Sequence, residues 1–216
     1  MTNIYTRLAE REEFENIKTN ENTAMGSKDQ LFLLKLESCE DPNERAELVR
    51  GYLRRFSGNG NREVETVPDF PEGLEWLNCQ DALSFKNNLR GKLCVLDFFT
   101  YCCINCMHIL PDLHALEAKH SIEEGVVVIG VHSAKFENEK VSSNILNAVL
   151  RYGISHPVVN DSDAFLWNAM EIACWPTLVI VGPNGEHLLS LVGEGHKKTL
   201  MEFVDAALKW FKSEGN

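Results

Sequence analysis

The sequence predicts an α/β fold in which helices flank a central mixed sheet. Strand and helix patterns alternate from Val67 onward, a strong turn signal at residues 182–185 separates two apolar segments, and the last segment is an amphipathic helix. The 216 residues are 44% hydrophobic and 25% charged. This composition is ordinary for a globular protein and excludes collagen-like, disulfide-scaffold and wholly disordered chains.

The chain divides into three predicted parts. Residues 1–30 form a polar, weakly ordered N-terminus, and residues 31–66 form a helical extension. The α/β domain occupies residues 67–216. In the extension, Asp41 is predicted to cap a helix that begins at Pro42, because an aspartate side chain accepts hydrogen bonds from the free N–H groups of a first turn.

The α/β domain is predicted from five strands and the four helices between and after them. Continuous apolar runs are typical of strands buried on both faces, whereas apolar residues at intervals of three and four are typical of helices. The predicted strands span residues 93–99, 126–131, 157–159, 178–181 and 188–192. The predicted helices span residues 103–119, 141–152, 164–170 and 200–211.

Charge and hydropathy argue against two classes of partner. The chain has 21 Lys and Arg against 32 Asp and Glu, a net charge of −11, which repels nucleic acids and anionic membranes. Its longest apolar runs fall far below the roughly 20 residues that span a bilayer. Residues 1–14 lack the apolar core of a secretory signal, so the expected location is the cytosol.

A C-x-x-C motif, Cys103 to Cys106, lies between a predicted buried strand and a predicted helix. The free N–H groups and the dipole at a helix N-terminus stabilise a thiolate at the first cysteine. The second cysteine lies one turn further on, where it can attack a mixed disulfide and release the partner. The motif therefore predicts a redox-active pair, with Cys103 as nucleophile and Cys106 as resolving cysteine.

Two other interpretations of the motif are two inert core cysteines and a zinc site. A structural zinc site needs two further ligands on a second segment. The sequence has no second C-x-x-C motif, and His108 and His114 lie on the same predicted helix. We therefore expect no metal and no cofactor.

Asp97 interrupts the apolar run of the strand that precedes the motif. Burial penalises a charged carboxylate, so the pKa of Asp97 is expected to be raised. The functional interpretation is a general base that deprotonates Cys106 when the mixed disulfide resolves. The alternative is an aspartate that accepts backbone hydrogen bonds at the strand end.

These residues resemble the thioredoxin family. Asp97 precedes Cys103 by six residues, Pro111 follows Cys106 by five, and Gly193 lies near the last helix, as in that family. The resemblance covers residues 67–212. Within the family, this region is similar to the TlpA- and peroxiredoxin-type branches. It implies a thioredoxin-like fold and thiol–disulfide exchange, with protein thiols and disulfides as partners and a reductase as electron donor.

The same resemblance assigns Trp175, Pro176 and Thr177 to substrate binding, because this string matches the cis-proline motif of the family. Cys102 and Cys174 lie close to the motifs and are candidates for accessory thiols. Adjacent cysteines form only strained disulfides, so no bond between Cys102 and Cys103 is expected.

A closer resemblance is to the thioredoxin-like domain of the NHL-repeat-containing family. It rests on the strings at residues 71–77, 97–106, 130–135 and 193–197. In that family a β-propeller follows the domain, so the chain is expected to be a domain-length piece, an isoform or a shorter relative.

The site also departs from thioredoxin. Cys102 replaces a tryptophan, and Ile104 and Asn105 replace Gly-Pro, so thioredoxin's reduction potential is not carried over. No lysine occurs at residues 126–131, where thioredoxins place the partner of the buried aspartate, which leaves proton transfer through Asp97 an open question.

Three functions remain open at this point. The first is a thiol–disulfide oxidoreductase, and the second is a non-catalytic thioredoxin-like interaction module or scaffold. The third, a thiol peroxidase, has the T-x-x-C pattern of Thr100 and Cys103, but Leu96 stands where peroxiredoxins have a proline.

Overall fold

A computed structural model describes residues 26–56 and 64–214 of the protein. The first 25 residues of the predicted polar N-terminus lie outside this range. The chain forms two compact units, one up to Leu48 and one from Val49 onward.

The first unit contains helix α1 (Gly26–Glu37) and most of helix α2 (Pro42–Leu53). The predicted cap is confirmed, since Asp41 Oδ1 accepts hydrogen bonds from the N–H groups of Asn43 and Glu44 at 2.8 and 2.9 Å. Helix α1 begins earlier than the predicted extension. Its first two residues, Gly26 and Ser27, are weak helix formers that are tolerated at the start of a helix.

The second unit is built on a six-stranded mixed sheet with the strand order β1-β4-β3-β2-β5-β6. Strand β2 is central: it pairs with β3 in parallel and with β5 in antiparallel orientation. The predicted mixed sheet is therefore confirmed. The strands are β1 (Trp76–Leu77), β2 (Leu93–Phe99), β3 (Val126–His132), β4 (Val158–Asn160), β5 (Thr177–Val181) and β6 (His187–Val192).

Four α-helices follow the strands as predicted, with ends that differ by at most three residues. They are α3 (Ile104–Lys119), α4 (Ser142–Tyr152), α5 (Phe165–Ala169) and α6 (Lys197–Glu214). Two short 3₁₀ helices, Arg54–Phe56 and Glu137–Lys140, were not predicted. The predicted hairpin is confirmed, because β5 and β6 pair in antiparallel orientation and Gly182 N–H donates to Glu186 O at 2.8 Å. Within the described ranges no helix is long and apolar enough to cross a membrane.

Strand β2 is buried along its whole length and presents alternate side chains to the two faces of the sheet. Cys94, Leu96 and Phe98 belong to an apolar cluster that includes the stacked rings of Phe70 and Phe85. The opposite face carries Asp97. The strand thus delivers a carboxyl group into the interior just before the loop that leads into α3.

Gly130, opposite Asp97 in β3, has no room for a side chain. A Cβ atom there would lie 3.0 Å from both Phe99 Cε1 and Val158 Cγ2. We therefore predict that Gly130→Ala destabilises the fold by about 1–3 kcal/mol, since close-packed neighbours cannot all retreat. Urea unfolding followed by circular dichroism measures the change.

The matched control is Gly51→Ala, because a Cβ at this helical residue meets nothing within 4 Å. This variant is expected to gain up to about 1 kcal/mol from helix propensity. Equal stability of the two alanine variants would contradict the packing assigned to Gly130.

Candidate active site

The C-x-x-C motif lies where the loop after β2 enters α3. Cys103 is the N-cap residue of this helix, with extended backbone angles, and its carbonyl accepts the N–H of Met107 at 3.3 Å. Cys103 is partly exposed, whereas Cys106 in the first turn is fully buried. Both are free thiols, as are the chain's other cysteines. The first thiol is therefore accessible from solvent, while the second is shielded from it.

Burial raises the pKa of the Cys106 thiol strongly, and the nearby Cys103 and Asp97 raise it further. A backbone hydrogen bond from Thr100 opposes this shift without cancelling it. Cys106 is thus a poor nucleophile until a base removes its proton.

Asp97 is 1% exposed and faces Cys106 from β2. Burial raises its pKa to about 7, and the charge of His156 opposes that rise. Its Oδ1 has no hydrogen-bond partner in the described part of the chain. The expected burial and raised pKa are confirmed. A carboxyl group that titrates near neutral pH has the protonation behaviour that a base for a buried thiol needs.

The Trp175–Pro176 peptide bond is cis and lies beside the motif. Cys103 Sγ is 3.9 Å from Trp175 O. Pro176 O accepts the N–H of Gly193 at 2.8 Å, and Thr177 Oγ1 donates to Cys174 O at 2.8 Å. The structure therefore brings the C-x-x-C segment and the segment 174–177 together, although about 70 residues separate them.

Trp167 is a further aromatic residue at this edge of the site. Its ring lies 4.3 Å, centroid to centroid, from that of Trp175. The sequence analysis did not assign it, because α5 precedes the cis-proline segment by several residues of irregular chain. An indole pair next to a reactive thiol offers an apolar surface for an extended peptide.

Cys102 has a different environment from its neighbour Cys103. Glu139 is almost fully buried, and its Oε1 accepts hydrogen bonds from Thr100 Oγ1 at 2.7 Å and from Cys102 N–H at 3.3 Å. Burial and then hydrogen bonding to Glu139 raise the pKa of the Cys102 thiol. Cys102 is therefore exposed but disfavoured as a thiolate.

Glu139 is held in its ionised form although it lies inside the protein. Burial acts to raise its pKa, but hydrogen bonds from Cys102 and Thr100 and from the N–H groups of Lys135 and Phe136 outweigh it, so the pKa is lowered. Sequence analysis missed Glu139 because it lies in a short 3₁₀ helix 37 residues beyond Cys102, without a motif around it.

The remaining cysteines lie apart from this chemistry. Burial raises the pKa of the Cys94 thiol to about 12. Burial is also the main cause of the raised pKa of the Cys39 and Cys79 thiols. Cys174 is partly exposed and contributes its carbonyl to the cis-proline segment. In residues 26–56 and 64–214 no cluster of three or more His, Cys, Asp and Glu side chains is arranged to hold a metal ion.

Comparison with known sequences identifies proteins that are similar to this chain. The family model described as Thioredoxin-like matches residues 91–187, which include both motifs. NHL repeat-containing protein 2 of Homo sapiens is 57% identical over 172 residues, covering 80% of this chain and 23% of that protein. Protein SUPPRESSOR OF QUENCHING 1, chloroplastic, of Arabidopsis thaliana is 54% identical over 146 residues, covering 68% and 14%. The chain thus spans less than a quarter of either relative.

A solved structure shares the fold. The crystal structure of Thioredoxin-like superfamily protein SPOA0173 matches with a TM-score of 0.60 at 22% identity, covering 66% of this chain and 96% of that one. The thioredoxin-like fold expected from the motifs is therefore confirmed, as is the resemblance to the NHL-repeat-containing family.

The raised pKa of Asp97 predicts a pH-dependent stability difference between the protein and its Asp97→Asn variant. A carboxyl group with a folded pKa near 7 and an unfolded pKa near 3.9 favours folding below pH 4, and this contribution is lost as the pH rises to 7. From pH 4 to pH 8, Asp97→Asn should therefore gain about 3 kcal/mol relative to the unsubstituted protein. Urea unfolding at both pH values measures it.

Asp205→Asn is the control with the opposite sign. Burial acts to raise the pKa of Asp205, but hydrogen bonds from Lys119 and His120 lower it overall, so that its carboxylate stabilises the fold at neutral pH. This variant should lose stability relative to the unsubstituted protein as the pH rises from about 2.5 to 4, the range in which a carboxyl group with a lowered pKa ionises first in the folded protein, and should change little above pH 4. A loss in both variants over this range would contradict the raised pKa of Asp97.

The thiol environments predict an order of alkylation. In limited labelling of the reduced protein near pH 7, followed by peptide mapping, Cys103 should react first. Cys102 should react later, because Glu139 disfavours its thiolate. Glu139→Gln should speed Cys102 labelling severalfold, because it removes the carboxylate that raises the pKa of this thiol. Fastest labelling of Cys102 in the unsubstituted protein would contradict this assignment.

Proposed function

Because this chain carries a thioredoxin-like domain similar to that of NHL repeat-containing protein 2, we propose that it is a thiol–disulfide oxidoreductase for protein disulfides. One observation carries the proposal. Cys103 is partly exposed at a helix N-terminus with its Sγ 3.9 Å from Trp175 O, and Cys106 lies buried behind it in the first turn.

The first step is the attack of the Cys103 thiolate on one sulfur of a substrate disulfide. The S–S bond of the substrate breaks, a Cys103–substrate mixed disulfide forms, and the other substrate sulfur leaves as a thiolate that takes a proton from water. The unpaired N–H groups at the start of α3 favour the attacking thiolate. We assign Trp175, Pro176 and Thr177 the role of guiding an extended substrate alongside Cys103, an assignment supported by the 3.9 Å separation of Cys103 Sγ and Trp175 O.

The second step resolves the mixed disulfide. Asp97 accepts the proton of Cys106, whose thiolate attacks Cys103 Sγ and displaces the second substrate sulfur. Two electrons pass from the cysteine pair to the substrate, which leaves as a dithiol while Cys103 and Cys106 form a disulfide. A thiol reductase is the proposed partner that returns the pair to its reduced form, in the reducing environment of the cytosol.

A non-catalytic interaction module is the second candidate. The exposed side chain of Ile104 and the Trp167–Trp175 pair favour it, because they border Cys103 with apolar surface that can hold a peptide without any exchange of electrons. In that case Cys103 and Cys106 are structural thiols. Nucleic acid and membrane are not proposed as partners, in view of the net charge of −11.

Trapping distinguishes these two functions. Cys106→Ser should accumulate disulfide-linked complexes with substrate proteins, because the mixed disulfide forms but is not resolved. Cys103→Ser should abolish these complexes. Non-reducing electrophoresis of the purified variants after incubation with an oxidised model protein measures both.

Cys39→Ser serves as the control, since this cysteine lies outside the site and should leave trapping unchanged. If Cys106→Ser traps no more than the unsubstituted protein, the oxidoreductase proposal fails and the interaction module replaces it.

A further inference from the structure

A second buried titratable group lies beside Asp97. His156, in the loop before β4, has a side chain that is 1% exposed. Its Nδ1 lies 3.3 Å from Glu117 Oε1, and the Glu117 side chain on α3 is 26% exposed. The three groups therefore form a series that runs from the interior, next to Cys106, to solvent.

Gly130 makes this series possible. It pairs with Asp97 across the β2–β3 ladder, and a Cβ on it would lie 3.6 Å from His156 Nε2. Its N–H donates to Pro157 O at 2.9 Å, which holds the loop that carries His156 against the sheet. The imidazole thus lies over the one residue of β3 that is directly opposite Asp97 and has no side chain.

Polar atoms along the series lack hydrogen bonds to other described residues. They are Asp97 Oδ1, both ring nitrogens of His156 and Glu117 Oε2. The Nδ1 contact with Glu117 is within ion-pairing distance but lacks hydrogen-bond geometry. An unpaired buried polar atom destabilises a fold by on the order of 1–3 kcal/mol. This group of side chains therefore weakens the fold, which favours a functional role over a purely structural one.

The electrostatics agree with the geometry. After burial, the charge of His156 is the largest influence on the pKa of Asp97, and it acts to lower this pKa. The titratable groups that face Asp97 are Cys106 from α3 and His156 from the loop before β4. The opposite residue of β5, Leu178, does not titrate.

We propose that His156 and Glu117 carry to solvent the proton that Asp97 removes from Cys106. The Asp97 carboxyl passes the proton through one water to Nε2 of neutral His156, the imidazole passes its Nδ1 proton to Glu117, and Glu117 releases it to bulk water. The transfer leaves the imidazole as its Nε2–H tautomer, and exchange of the ring protons with water restores the Nδ1–H form before the next cycle. Asp97 and Glu117 end as carboxylates, and no electrons move along the series. The inference rests on the proposed oxidoreductase function and deepens it.

His156 and Glu117 act through Asp97 and touch no substrate, so they are positioning residues. They also answer the question raised by the missing lysine at residues 126–131. The group beside the buried aspartate comes from a segment 26 residues beyond Gly130 and is an imidazole, which can accept and donate a proton within one ring.

The test uses the reduced full chain and a model disulfide in single-turnover kinetics, where formation and resolution of the mixed disulfide are followed separately. His156→Gln should slow resolution at pH 7 about tenfold and leave formation unchanged. It should also move the midpoint of the pH profile for resolution upward, because the charge of His156, which acts to lower the pKa of Asp97, is removed.

Glu117→Gln is the second variant, chosen because the Glu117 side chain is partly exposed and the substitution preserves its shape. It should slow resolution about threefold without changing formation. The matched control is His187→Gln, another buried histidine, which bonds Ser190 in β6 and should change neither step. A ¹³C NMR titration of the Asp97 carboxyl group in the unsubstituted protein and in His156→Gln measures the coupling without turnover.

The outcomes separate the two proposals. Resolution that is unchanged in both variants, or formation and resolution slowed equally, overturns the relay and leaves the oxidoreductase standing. An unchanged Asp97 titration in His156→Gln also overturns the relay. If the unsubstituted protein shows no Cys106-dependent resolution, the proposed function fails and the relay fails with it.

Discussion

A carboxyl group in the middle of a buried strand is the constraint on which the site depends. Asp97 lies on the central strand, and Leu178 and Gly130 are its partners on the two neighbouring strands. The Asp97 side chain cannot leave the interior without breaking the backbone hydrogen bonds of β2. The neighbouring positions accommodate it: residue 130 is a glycine, the His156 ring lies in the space beside that glycine, and Cys106 faces Asp97 from α3. A group with a pKa near 7 results from this placement.

That placement opposes stability and favours chemistry. An aspartate held protonated in the fold, but ionised when unfolded, weakens folding at neutral pH. An asparagine of the same shape would remove this penalty, and the base with it. Active sites commonly contain such locally unfavourable groups, because the reactivity they supply requires an environment that does not fully satisfy them.

The second constraint is the division of neighbouring thiols by environment. Cys102, Cys103 and Cys106 lie within five residues but in three environments. The N–H of Cys102 donates to Glu139, Cys103 is the N-cap residue of α3, and Cys106 is buried in the first turn of that helix. Burial and a carboxylate disfavour the first thiolate, and burial disfavours the last. Reactivity is thereby concentrated at Cys103, beside the cis-proline segment that can hold a substrate backbone.

The sequence by itself determined the elements whose signals are local. Long apolar runs defined β2 and β3, the cap at Asp41 defined the start of α2, and the spacing of Cys103 and Cys106 defined the redox motif. The two-residue strand β1 was missed, because it is too short to show a period. The early start of α1 was missed because its first residues are weak helix formers.

Only the tertiary structure decided which distant residues meet at the site. Glu139, Trp167 and His156 lie between 36 and 64 residues beyond Cys103 and belong to no recognised motif. The strand order β4-β3-β2-β5 and the connections between these strands bring the three residues to the end of the central strand. A sequence pattern records periodicity along the chain, whereas proton transfer and thiol selection depend on separations of a few ångströms between segments that the fold alone brings together.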